Sequence, residues 1–174
     1  MKKLFKCLLA ITCCLSLTAC GKSESQSEEE LIQEKIESAG WKISKDFDSS
    51  DSVYSIFLDV DNSSYFAITS YKDSGSLKSI SYTDTIDKDD YLYVYSKEED
   101  ASLGHVIQNG TFVCSGYDAD QQNFIYDSSK NSLCTDQNIQ NLQDTANKLD
   151  SALKESNLTY NELEQWAKWY YKQN

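Results

Sequence analysis

The chain contains no proline and no arginine. Its sixteen basic residues are all lysine, and its 174 residues include one histidine, one methionine and six glycines. Each shortage removes a class of function. Without arginine there is no guanidinium fork, the usual bidentate reader of phosphate. Sixteen lysines against 28 acidic residues give a formal charge of −12. No basic stripe is present that would release counterions from a nucleic acid, so the sequence names no nucleic-acid partner. The single histidine, His105, rules out a histidine-rich metal cluster, and a Ser-His-acid triad would have to use that one imidazole. No G-x-S-x-G elbow accompanies it. A G-x-G-x-x-G loop, a Walker loop and an internal repeat are also missing. The sequence calls for no cofactor and no metal. Its acidity fits solubility first, and a cationic partner second.

What is present begins at the amino terminus. Lys2, Lys3 and Lys6 precede a mostly apolar stretch from Leu4 to Ala19. That stretch falls short of the roughly 20 apolar residues a membrane-spanning helix needs, and it reads as an export signal. It ends in Leu17-Thr18-Ala19-Cys20, which resembles the lipobox of bacterial lipoproteins. The resemblance implies cleavage before Cys20, a diacylglycerol on its thiol, and a place on the extracytoplasmic face of the cell membrane. Residues 1–19 are then a lipoprotein signal peptide, residues 20–27 a flexible tether, and residues 28–174 a single extracellular domain. The Ser/Glu-rich tether has no bulky apolar residue to bury. Processing leaves thirteen lysines against 28 acids, a formal charge of −15.

The rest of the chain predicts an α+β domain. Ser27 and Glu30 form a capping box before a short helix over about residues 28–39, which Gly40 ends. From about residue 41 to 127 apolar residues alternate: Tyr54, Ile56, Leu58, Val60; Phe66, Ile68; Ile80, Tyr82. Asp-, Asn- and Ser-rich turns separate these runs, so we expect an antiparallel meander of about 6–8 strands. Asn109-Gly110 predicts a two-residue type I′ hairpin. Its register places His105 opposite Cys114 and turns Leu103, His105, Ile107, Phe112 and Cys114 toward the core. Two helices follow. Ile139, Leu142, Ala146, Leu149 and Leu153 form the seam of the first, capped by Thr135 or Asp136. Thr159 and Glu162 cap the second, with Leu158 and Leu163 as its staple and Trp166, Ala167 and Tyr170 in its stripe. Strands in a run, then helices in a run, place the helices on one sheet.

The candidate sites are few. Cys20 is the lipidation site. Cys114 and Cys134 remain after processing; outside the cytoplasm they can join as a disulfide. Alternatively Cys114 beside His105 would make a thiolate nucleophile. Tyr91, Tyr93 and Tyr95 line one face of a strand, either as a binding face for a glycan or peptide or as cover beneath a helix. Asp59 and Asp61 begin a calcium-like loop, but Ser64 and Ser70 stand where glycine and glutamate are needed, so the segment reads as a turn. The expected function is a non-catalytic binding or interaction module, anchored in the membrane by lipid, with a cationic peptide, a protein or a glycan as partner. An immunity-type lipoprotein that sequesters a cationic peptide is one alternative, and a Cys/His enzyme the other.

Overall fold

The computed structural model describes residues 26–47, 52–125 and 131–173. The expected signal peptide, Cys20 and most of the expected tether lie outside the described residues, as do the last residues of the final expected strand. The elements run α1 (Glu28–Ser38), β1 (Lys42–Phe47), β2 (Val53–Asp59), β3 (Ser64–Tyr71), β4 (Leu77–Ile86), β5 (Asp89–Ser96), β6 (Ala101–Gln108), β7 (Thr111–Asp118), β8 (Asn123–Phe124), α2 (Asp136–Ser156) and α3 (Tyr160–Gln173). The strands form one antiparallel sheet in sequence order. This is the α+β meander with one short leading helix and two trailing helices.

Register decides which face is core. Leu58 faces Phe66, Phe66 faces Tyr82, Tyr82 faces Tyr93, and Tyr93 faces Gly104. This row and the parallel row through Ile56, Ile68 and Ile80 are buried. α2 lies against β4 to β7, α3 reaches β3, and α1 packs on α3 and α2. Leu142, Leu163, Trp166 and Ala167 are fully buried between them. Each large apolar side chain so buried contributes about 1.5–3 kcal/mol.

The caps hold as read. Glu30 N–H donates to Ser27 Oγ at 3.2 Å and Ser27 N–H to Glu30 Oε2 at 2.9 Å. At α3, Glu162 N–H donates to Thr159 Oγ1 and Thr159 N–H to Glu162 Oε2. Thr135 is the cap of α2, and its reciprocal partner is Asn138. Asn138 is also buried, where its Nδ2 donates to Tyr91 Oη at 3.2 Å. The seam of α2 therefore includes polar residues: Asn138, Thr145 and Ser156 are buried with Leu142 and Leu149. Ile139, Ala146 and Leu153 flank it, half-buried.

The hairpin departs from expectation. Asn109 and Gly110 have φ of 49° and 77°, as a type I′ turn requires. Gln108 faces Thr111 and Ile107 faces Phe112. Then the register shifts, and Val106 faces Cys114 while His105 faces Ser115. The extra residue on β7 makes a bulge that rotates the strand by one face. Cys114 and Val106 turn into the core, whereas Phe112 is 58% exposed. Cys114 is thus in the core as expected, but Phe112 is not, and His105 and Ile107 are only partly buried. The turn fixes only the two pairs beside it.

Gly104 marks a close approach between β6, β5 and α2. A Cβ there would stand 2.9 Å from Tyr93 Cζ and 3.2 Å from Leu142 Cδ2. Glycine lets the Tyr93 ring lie across β6 beneath α2. Gly104→Ala is expected to destabilise the protein by about 2 kcal/mol, because overpacking a filled core displaces side chains and backbone. Urea unfolding measures this. An unchanged midpoint would mean the Tyr93 ring has room to move.

Candidate functional site

The sequence-derived sites fare differently. Cys114 and Cys134 are joined, with Cα atoms 5.0 Å apart. Cys114 therefore carries no thiol, and the bulge separates it from His105, so the Cys/His dyad is not assembled. The His105 ring meets Phe112 edge-on on the helix-free face of the sheet, and its Nδ1 lies 3.0 Å from Ser115 Oγ. Burial pushes its pKa below the ordinary histidine value.

The tyrosine row is not an exposed platform. Tyr91 and Tyr93 are buried under α2. Tyr95 stacks on Tyr160 at 4.7 Å and donates to Asp100 Oδ1. The row faces Asp84, Tyr82 and Ile80 on β4, which are all core, while Leu92 and Val94 take the other face. Asp61 serves a turn: its Oδ1 accepts the Ser63 and Ser64 N–H groups at 2.7 and 2.8 Å. Asp118 does the same for Asp120 and Gln121. Among the described residues no group of acids, histidines and cysteines is arranged for a metal.

A different place has the geometry of a binding site. A cavity of about 560 Å³ opens where the end of α1, the β2–β3 turn and the C-terminal half of α2 meet. That volume is in the range of small-ligand sites. Three local causes build it. First, α1 ends at Ala39, Gly40 turns the chain at φ 78°, and Trp41 N–H bonds back to Ile36 O, which delivers Trp41 to the wall. Second, the Asx turn at Asp61 fixes that carboxylate on the rim. Third, Asn147, Lys148, Ser151 and Glu155 recur at helical spacing on one side of α2 and form the facing wall. Tyr82 completes the lining.

The polar groups of the cavity are unevenly satisfied. Trp41 is 6% exposed and rests on Phe66, with ring centroids 5.0 Å apart. Its indole N–H donates to no described residue. Trp166 offers the contrast, since its Nε1 donates to Gln33 Oε1 at 2.5 Å. Lys148 is committed: its Nζ lies 2.5 Å from Asp84 Oδ2, and the Asp84 side chain is 1% exposed. The Asp84 hydrogen bond and charge hold the Lys148 ammonium above its ordinary pKa, against the effect of burial. For Asp61, burial pushes the pKa up, but the hydrogen bonds from Ser63 and Ser64 outweigh it and hold the carboxyl below its ordinary value. Glu155 has no hydrogen bond or ion pair to a described residue.

Sequence reading did not find this site. Trp41 reads only as the start of the β-rich region, and Lys148 and Glu155 lie on the polar flank of an amphipathic helix. The one available signal is Asp84. It follows Ile80 and Tyr82 at a spacing of two, so it lands on the core face, where a carboxylate needs a partner. Among the described residues no helix is long and apolar enough to cross a membrane. No protein-family model, curated protein or solved structure matches this chain.

Proposed function

We propose that the mature protein is a surface lipoprotein, held on the extracytoplasmic face of the cell membrane through Cys20, and that it works as a non-catalytic binding module. The ligand site is the cavity walled by Trp41, Tyr82, Asp61, Lys148 and Glu155. One observation carries this reading: a cavity of ligand size whose wall joins the aromatic rings of Trp41 and Tyr82 to the carboxylates of Asp61 and Glu155. The helix-rich side of the domain gives the site rigid walls, as binding requires. The anchor would keep it near the cell surface on a short polar tether.

Two experiments on intact cells test the two halves. Membrane fractionation should find the native chain in the membrane and Cys20→Ala outside it; retention of Cys20→Ala would remove the lipid anchor. Crosslinking should give a species joined to the native chain and missing from Trp41→Phe. The same species at the same yield with Trp41→Phe would show that the cavity is not the site.

A further inference from the structure

We infer that the cavity takes the cationic side chain of an extracellular peptide, a lysine ammonium or an arginine guanidinium, between the carboxylates of Asp61 and Glu155. The inference rests on the cavity being the binding site and names the chemistry of its ligand.

The argument is one of unspent charge. Two lysines border this region, and both are already committed. Lys148 neutralises Asp84, whose buried carboxylate has no other cation beside it among the described residues. Lys35 lies 2.5 Å from Glu162 Oε1 and 2.9 Å from the Asn157 carbonyl. A ligand anion could recruit Lys148 only by stranding Asp84 in the core. The acids are the opposite case. Glu155 meets no cation, and Asp61 binds only Ser63 and Ser64, through Oδ1, which leaves Oδ2 open. The cavity wall thus carries two carboxylates beside one lysine, whose ammonium is hydrogen-bonded to Asp84 and feels Asp61 only through its charge, so a phosphate or carboxylate ligand would meet net repulsion.

The neighbourhood extends the same pattern. A second cavity of about 460 Å³ shares Ala39, Glu155 and Ser156 with the first and is lined also by Leu31, Glu34, Ser38 and Lys35, the last already paired with Glu162. Leu31 is 46% exposed there. Glu34 meets the Gln26 amide and no cation. Two cavities with a common wall suit an extended chain better than a compact ligand. A cationic residue fills the first, where Trp41 and Tyr82 offer aromatic surface for its stem and charge. The Trp41 N–H is then available to a peptide carbonyl. The whole chain, at −12, attracts such a ligand before contact.

The test uses the full chain in nonionic detergent, with acetylated, amidated tetralysine as probe and isothermal titration as readout. Tetraglutamine and a neutral tetrasaccharide serve as uncharged comparisons. Asp61→Asn with Glu155→Gln removes two cavity charges and keeps both shapes. Glu98→Gln with Glu99→Gln removes two charges from the exposed turn after β5. The expected result is tetralysine binding that weakens about tenfold or more in the cavity pair and less than about twofold in the turn pair. Equal loss in both pairs would mean diffuse attraction to a polyanion and would overturn the inference. So would preference for the tetrasaccharide with loss on Trp41→Phe; in that case the cavity remains the binding site and only its ligand class is wrong. If no probe of either class binds and Trp41→Phe changes nothing, the inference and the binding site fall together.

Discussion

Lys148→Met is expected to lower the stability of the protein by about 3 kcal/mol, although the lysine side chain is 53% exposed. The loss comes from the partner. Asp84 stands on the core face of β4, between Ser64 on β3 and Tyr91 on β5. Its side chain is 1% exposed, and among the described residues only Ser63 Oγ, at 3.4 Å, joins Lys148 in a hydrogen bond to it. Methionine keeps the stem of Lys148 and deletes the charge, so a buried carboxylate is left without a counter-ion. Fully buried pairs lose about 3–5 kcal/mol in this way, and the half-exposed lysine places this one at the lower end. The sign of the pH dependence follows from the raised pKa of Lys148. A base with a raised folded-state pKa contributes its stability fully below the unfolded value of 10.5 and loses it as pH rises beyond that. Neutral conditions therefore report the whole effect. Urea unfolding of the full chain in detergent measures it. Asp84→Leu combined with Lys148→Met should recover more than half of the loss, since removing both charges strands neither. A change below about 0.5 kcal/mol for Lys148→Met would mean that water reaches Asp84 and that the pair is an ordinary surface contact.

Local signals carried the elements and failed at the choices between equal faces. The capping pairs Ser27/Glu30 and Thr159/Glu162 placed two helix starts, because a cap is chemistry within four residues. Alternation in β2 and β3 placed Tyr54, Ile56, Leu58, Phe66 and Ile68 inside, since the opposite face there is mostly polar or small. In β5 both faces are apolar: Tyr91, Tyr93 and Tyr95 on one, Leu92 and Val94 on the other. Period two does not choose between them. The helices do, by covering the tyrosines. In β6 and β7 two register shifts, each with an extra residue on β7, overrode the hairpin register, and a bulge has no signature in these residues beyond the turn itself. The cavity was illegible for a further reason. Trp41, Asp61, Tyr82, Lys148 and Glu155 come from two elements, β4 and α2, and two connections, α1–β1 and β2–β3, and their meaning lies in which charges are spent. Lys148 looks like a free cation until Asp84 is found behind it.

The disulfide gives the other large effect. Cys114→Ser with Cys134→Ser is expected to cost about 3 kcal/mol, or roughly 10 °C in Tm for a domain of this size. The bond links cysteines twenty positions apart, and closing a loop of that length removes about that much chain entropy from the unfolded state. The native state gains order as well. Cys134 immediately precedes Thr135, the cap of α2, and Cys114 is fully buried on β7. The bond thus pins the start of the helix that supplies Lys148 and Glu155 to the far side of the sheet. It also fits a chain that works outside the cytoplasm, where such bonds persist. Reductant separates the bond from the packing of two buried sulfurs. Native protein heated with dithiothreitol should lose most of the 3 kcal/mol, and the double serine variant should not respond to it. A native Tm indifferent to reductant would mean the thiols are unjoined. Buried free thiols would then return Cys114 to consideration, but as a core residue, since it faces Val106 and not the imidazole of His105.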